Sequence, residues 1–222
     1  MTDTGGGDAK DVFISFPHID DKPLYDGQAG WVTEFHRHLE TRLSALLGRE
    51  TRVWRDPNLQ GNEVLLAAIE RQLLRVKALV SVLSPRYVKS GWCQKEIQGF
   101  LNVARGSGGF QVGDQLRWFK VLKTPLGAED LPPDFPVDLR TYFQNVLGYS
   151  FFDVDPQSKR PREYSREFGS EAERLYHQKV YDLAWDIQQL LKKIDAGQLA
   201  LPGLGAGRKT IYLATGTADV AS

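Results

Sequence analysis

An α/β fold, with a parallel sheet covered by helices on both faces, is what this sequence of 222 residues predicts, and three observations predict it. Short β-prone apolar runs alternate with stretches whose apolar residues recur every three or four positions. The run 78–83 is apolar almost throughout, as a strand buried on both faces of a parallel sheet must be. Hydrophobic content of 41%, with 11 Phe, 8 Tyr and 5 Trp, is enough for a packed core and places the chain among globular proteins.

The elements follow in order. Asp11-Val12-Phe13-Ile14-Ser15-Phe16 reads as the first strand. Trp31, Phe35, Leu39, Leu43 and Leu46 then fall at helical spacing, and Gly48 closes that helix. Thr51-Arg52-Val53-Trp54 is a brief second strand. A turn-rich loop from Asp56 to Gly61 follows, and Asn62 caps a helix with Leu65, Leu66, Ile69 and Leu73 on one side. The strand 78–83 leads to a helix over 91–105 with Ser90 as its N-cap. A Gly-rich break (106–113), a fourth strand (116–122) and an irregular loop with four prolines (125–136) come next. A fifth strand is expected over 149–154, a polar loop over 156–165, and a last helix over 167–196. That helix carries Leu175, Leu183, Ile187, Leu190 and Ile194 on its inner face, and Gly197 ends it.

This organisation divides the chain into a Gly- and Asp-rich disordered N-terminus (1–10), one domain (11–196) and a Pro/Gly linker (197–209). A final segment (210–222) begins β-prone, as the start of a truncated second domain. The chain is therefore expected to be the N-terminal module of a longer protein. Gly203, Gly205 and Gly207 do not make a nucleotide loop, because no strand precedes them in a βαβ unit. With 28 basic and 28 acidic residues there is no electrostatic case for nucleic acid or an anionic membrane. A single cysteine excludes an internal disulfide and fits a reducing compartment. No secretory signal or apolar run of the ~20 residues that span a bilayer is present, so a cytoplasmic location is expected.

Glu96 stands out. On a helical wheel Phe100, Cys93, Ala104 and Ile97 form one stripe, flanked by Leu101, Val103 and Trp92; Gln94, Lys95, Gln98, Asn102 and Arg105 lie opposite. Glu96 projects inside the apolar arc, one turn after Trp92. A buried carboxylate is costly unless paired, which makes it a candidate functional group; the plainer reading is a rim Glu that reaches water. In an open parallel sheet ligands sit beyond the carboxyl ends of the strands. Phe16, then Trp54, Arg55 and Asp56, then Ser84, leave their strands at that edge, near Trp92 and Glu96. Aromatic faces suit a flat ring, and carboxylates suit ribose hydroxyls or a developing cation. Each has a duller reading: Phe16 and Trp54 as core caps, Asp56 as a turn residue before Pro57, Ser84 as a helix-entry residue.

Together these residues carry a resemblance. Asp11-Val12-Phe13-Ile14-Ser15-Phe16, then Trp54-Arg55-Asp56 with Gly61, then the thirteen residues from Ser84-Pro85-Arg86-Tyr87 through Ser90-Gly91-Trp92-Cys93-Gln94-Lys95-Glu96, resemble the Toll/interleukin-1 receptor (TIR) domain of plant and bacterial members. The resemblance covers roughly 11–195 and is diffuse after Arg105. It implies a flavodoxin-like three-layer sandwich with a five-stranded parallel sheet. It implies one of two functions: hydrolysis of NAD+ at the nicotinamide–ribose bond, or a non-enzymatic adaptor acting only through TIR–TIR contacts. In the enzymes a Glu four residues after a Trp is catalytic, the place Glu96 holds, so NAD+ is expected as substrate and no cofactor or metal is needed. Phe16, Trp54, Arg55, Asp56, Ser84 and Trp92 are the expected substrate-binding residues. Pro57, Asn58, Leu59, Gln60 and Gly61 match the family's assembly loop, which implies a homo-oligomer, and a C-terminal sensor domain is expected beyond the sequence. A role in bacterial anti-phage immunity goes with that resemblance. Two departures are visible: Phe16 stands where Tyr is common, and the stretch 106–140 is longer and richer in Gly and Pro. A nucleoside-processing transferase on a similar sheet would also use a Glu with aromatics, but does not fit the Ser84-to-Glu96 spacing.

Overall fold

The computed structural model describes residues 10–55, 76–106, 111–137 and 148–198, with isolated positions 73, 109, 139, 140 and 143. Five strands build the main sheet: β1 (Lys10–Ser15), β2 (Val53–Trp54), β3 (Val76–Leu83), β6 (Trp118–Leu122) and β7 (Gly148–Ser150), with every neighbouring pair parallel. Among the described residues four α-helices accompany them: α1 (Trp31–Leu47), the single turn α2 (Pro85–Val88), α3 (Gly91–Gly106) and α4 (Ser170–Lys193). The spatial order is β2-β1-β3-β6-β7, the flavodoxin-like order, with its switch point between β1 and β3.

Alternation along the strands sorts the core into two layers. Val12, Ile14, Val80, Val82 and Val121 face α1 and α4, meeting Phe35, Leu39, Leu43, Leu183 and Ile187. Phe13, Leu79, Leu83 and Trp118 face the other way, onto Tyr87, Val88, Ile97, Phe100 and Leu101. Ser15 and Ser81 are register partners in β1 and β3, and both are buried. The first helix ends as expected on Gly48, in the left-handed conformation (φ 65°) that glycine adopts without steric cost.

Three expected boundaries differ. The fourth strand starts at Trp118 because Leu116 is taken into the preceding hairpin; Arg117 between them is buried, its guanidinium donating to the carbonyls of Val76 (2.9 Å), Lys77 (2.9 Å) and Gly109 (3.2 Å). Ahead of it the Gly-rich break forms a hairpin, β4 (Gln111–Val112) with β5 (Gln115–Leu116). The expected fifth strand, 149–154, breaks at Phe151. Its N–H donates to Leu122 (2.9 Å) but its carbonyl accepts from Tyr164 (2.7 Å), so the chain leaves the sheet. Beyond it β8 (Phe152–Val154) pairs antiparallel with β9 (Pro161–Glu163), inside what the sequence suggests is loop. The last helix begins at Ser170 rather than 167, after Gly169 at φ 93°. The N-terminus 1–9, the loop with Asp56, Pro57, Asn58, Leu59, Gln60 and Gly61, the helix after Asn62 apart from buried Leu73, and the linker and second-domain segment from 199 onward lie outside the described residues. Among the described residues no helix is long and apolar enough to cross a membrane.

Candidate functional site

The switch-point crevice is a cavity of about 330 Å³, lined by Ile14, Phe16 and Pro17 from the end of β1, His18 and Ile19 from the turn that follows, Arg86 and Lys89 around α2, and Ser90, Trp92, Cys93 and Glu96 from α3. The turn is a short 3-10 segment, His18–Asp21. It is fastened from behind: Asp21 accepts from the backbone N–H of Thr33 (2.7 Å), the Thr33 hydroxyl (2.7 Å) and Arg55 (2.6 Å). That carboxylate thus caps the start of α1 from outside the helix, satisfying an amide with no intrahelical partner. Gly30, the residue before α1, permits this approach, since a Cβ there would lie 1.7 Å from the Asp21 carbonyl oxygen.

Ser90 opens α3 as expected, its hydroxyl accepting from the Cys93 N–H (3.3 Å). The stripe Cys93, Ile97, Phe100 and Ala104 is buried, and Lys95, Asn102 and Arg105 are exposed. Glu96 is 3% exposed, so it does not reach bulk water as a rim residue would. Its Oε1 accepts from the Trp92 indole N–H (3.1 Å), one helical turn earlier, and its Oε2 accepts from the Ser15 hydroxyl. The chain of contacts runs deeper. Ser15 Oγ lies 2.8 Å from the Tyr87 hydroxyl, which donates to Ser81 Oγ (3.0 Å), which also accepts from the Trp118 indole N–H (2.9 Å). A carboxylate is held in an apolar layer because two neighbours donate to it, and one donor is itself fixed from below. Burial and the nearby Glu96 charge push the Cys93 thiol up to about 12, and burial first, then Cys93 and Glu96, raises Tyr87 well above its usual value. Both are therefore neutral.

Of the residues singled out in the sequence, Phe16, Trp92 and Glu96 line this cavity, and the described Trp54, Arg55 and Ser84 do not. Trp54 stacks on Phe13 (4.6 Å) beneath Lys10, on the far side of β1. Arg55 is engaged by Asp21 and by Thr33 (2.8 Å). Ser84 accepts from the Tyr87 N–H (3.1 Å) and donates to Asp20 (2.5 Å), so it shapes α2 and the turn rather than the wall. The sequence puts Arg86 at this edge of the sheet, but does not single out Ser15, Tyr87, Lys89 or His18 as site residues. Alternation would have placed Ser15 on the Phe13 face, toward the helix with Glu96. Among the described residues no group of three or more His, Cys, Asp or Glu could hold a metal ion.

Residues 12–110 match the family model described as TIR domain. Among solved structures, one likeness is to the TIR domains in the structure of the activated Roq1 resistosome directly recognizing the pathogen effector XopQ. It has 16% identity over 83% of this chain and 99% of that one, with a TM-score of 0.36. No curated protein matches the chain in sequence.

Proposed function

We propose, from the match of residues 12–110 to the TIR domain model, that this chain is a NAD+ hydrolase that cleaves the nicotinamide–ribose bond. The observation that carries the reading is Glu96, a buried carboxylate on a cavity wall, held by Trp92 one turn away and by Ser15 from the neighbouring sheet.

Breaking this N-glycosidic bond leaves an oxocarbenium-like ribose, as in glycoside hydrolysis. The leaving group departs as neutral nicotinamide from a pyridinium, so the bonding pair quenches a charge already present and no strong general acid is required. What the step lacks is a fixed negative charge beside the ribose, where positive charge grows. Glu96 supplies it with little reorganisation, because its oxygens are already oriented. Trp92 and Phe16 supply flat walls against which the pyridinium or ribose can lie. Water then attacks the anomeric carbon and releases one proton to solvent, giving ADP-ribose, or an adenine nitrogen attacks it to give a cyclic isomer. Both outcomes share the same cleavage.

With it we propose activation by TIR–TIR self-assembly and, on the family resemblance, a place in bacterial anti-phage immunity. The test is nicotinamide release from NAD+ by the purified chain beside Glu96→Gln, at low and high protein concentration. Release that rises faster than linearly with protein and falls at least a hundredfold in the variant is expected, the scale on which one transition-state-stabilising group acts. A fully active Glu96→Gln, or no release at any concentration, would overturn the reading and leave the adaptor.

A further inference from the structure

The charges in the cavity wall are unequally distributed. Among the described residues that line it, Glu96 is the one carboxylate, while Arg86, Lys89 and His18 also border the space. Glu96 is buried, and those three are exposed. The cavity therefore has an acidic inner end and a cationic mouth. Its volume, about 330 Å³, lies at the small end of the roughly 300–1,000 Å³ in which small molecules bind. A dinucleotide seated with its pyridinium at Glu96 must extend through that mouth.

Resting on the hydrolase reading, we propose that Arg86 and Lys89, with His18 beside them, form the diphosphate subsite: they hold the anionic bridge of the dinucleotide while its nicotinamide–ribose end lies at Glu96.

Three observations support this. The backbone that carries the cations is fixed. Tyr87 and Val88 are fully buried, Ser84 caps the turn, and the Gln94 side-chain amide donates to the Val88 carbonyl (2.7 Å). Second, neither cation is occupied by an ion pair among the described residues. Asp20, an acid whose carboxyl feels the Arg86 charge, is itself engaged by the Ser84 hydroxyl at 2.5 Å. Third, the chemistry matches the substrate: a guanidinium binds phosphate oxygens through two parallel donors and an ammonium binds as a point charge. Exposed cations at the rim also steer an anion toward the mouth.

The experiment is calorimetric titration of ADP-ribose, adenosine and inorganic pyrophosphate into the wild-type chain and the Arg86→Ala/Lys89→Ala double variant, at high protein concentration and at two salt concentrations. Both substituted side chains are exposed, so circular dichroism should show an unchanged fold. ADP-ribose is expected to bind the wild type, to bind the double variant at least tenfold more weakly, and to weaken with salt; adenosine should bind both proteins alike. In turnover, the double variant should raise KM for NAD+ by a similar factor with kcat little changed, and leave KM for nicotinamide riboside, which has no phosphate, where it was.

Equal ADP-ribose affinity in the two proteins would overturn the subsite, as would no binding by the wild type or parallel KM shifts for both substrates. Pyrophosphate that binds the double variant as tightly as the wild type would also overturn it, by showing that the anion is held elsewhere. The two readings fail separately. ADP-ribose held through Arg86 and Lys89 without any Glu96-dependent nicotinamide release removes the hydrolase alone, and Glu96-dependent release unaffected in the double variant removes the subsite alone.

Discussion

Ser15→Ala isolates what holds Glu96 in place. Ser15 is 1% exposed, and the hydroxyl removed meets Glu96 Oε2, the Tyr87 hydroxyl at 2.8 Å and the Cys93 thiol. Alanine fits the same space. Tyr87 keeps Ser81, and Glu96 keeps the Trp92 indole at 3.1 Å, so the network is weakened rather than dissolved. A hydrogen bond to a charged group is worth about 1.5–3 kcal/mol. If that interaction orients the carboxylate for the transition state, its loss divides kcat by roughly ten to 150, at 1.36 kcal/mol per tenfold. Nicotinamide release measured over a range of NAD+ concentrations should therefore show a fallen kcat with KM nearly unchanged, because Ser15 does not line the cavity. The same loss lowers Tm by about 3–12 °C, at about 2–4 °C per kcal/mol for a domain of this size. A lowered Tm with kcat within twofold of wild type would refute the argument and leave Ser15 a packing residue. In a Glu96→Gln background the kinetic effect of Ser15→Ala should vanish; if it persists, Ser15 acts through something other than Glu96.

Asp11 is held below its ordinary value because hydrogen bonds and charge from Arg49 and Lys77 outweigh its burial. The charged form is thus favoured by folding, and this stability, present above about pH 4, is lost as pH falls through the lowered value. Asp11→Asn should cost about 3 kcal/mol in urea unfolding at pH 7, the scale for breaking a buried pair, with the difference closing below pH 4; a pH-independent difference would contradict this. Asp20 has the opposite sign: burial raises it despite the Ser84 hydrogen bond and the charges of Lys123 and Arg86. Asp20→Asn should be at least as stable as wild type at pH 7, lose that advantage in acid, and bind ADP-ribose more tightly by relieving Arg86 of a competing charge; weaker binding would count against the cationic mouth. Cys93, 1% exposed and pushed up to about 12, should react with a thiol reagent at pH 8 only as fast as the chain opens, so rapid stoichiometric labelling of the native protein would show the cavity wall to be loose.

What the sequence made legible is what local periodicity encodes. The apolar stripe of α3, the Ser90 cap, the Gly48 stop and the all-apolar third strand are properties of consecutive residues, and each stands where its pattern puts it. The errors are non-local. Phe151 has the composition of a strand interior, yet Tyr164, thirteen residues on, takes its carbonyl and starts a hairpin. Arg117 looks like an ordinary polar residue in an alternating strand, yet three carbonyls from β3 and the preceding loop bury it. Trp54 does end its strand at the carboxyl edge and shares the Phe13 face with α3, but its ring stacks on Phe13 and stays outside the crevice. Strand-end position thus predicts the neighbourhood of a side chain, whereas pleat and partner decide its direction.

The same distinction accounts for Glu96. Periodicity places it in the apolar arc but cannot say whether burial there is tolerable, because the answer depends on β1, whose Ser15 lies 81 positions away in sequence. The doubly wound order brings that serine across. With β1 and β3 adjacent at the switch point, Ser15 and Ser81 are register partners, and the face they share is the one α3 covers. Tyr87, delivered by the turn between β3 and α3, then bridges both serines. Each donor sits on an element whose own apolar side chains fix it, so little motion is needed to satisfy the carboxylate. A charged group so placed loses hydration once, on folding, and is oriented before any ligand arrives. Replacing the switch-point serines by alanine would leave the strands and their register intact while removing that orientation. On this argument, the polar residues at the centre of the sheet contribute to the site rather than to the core.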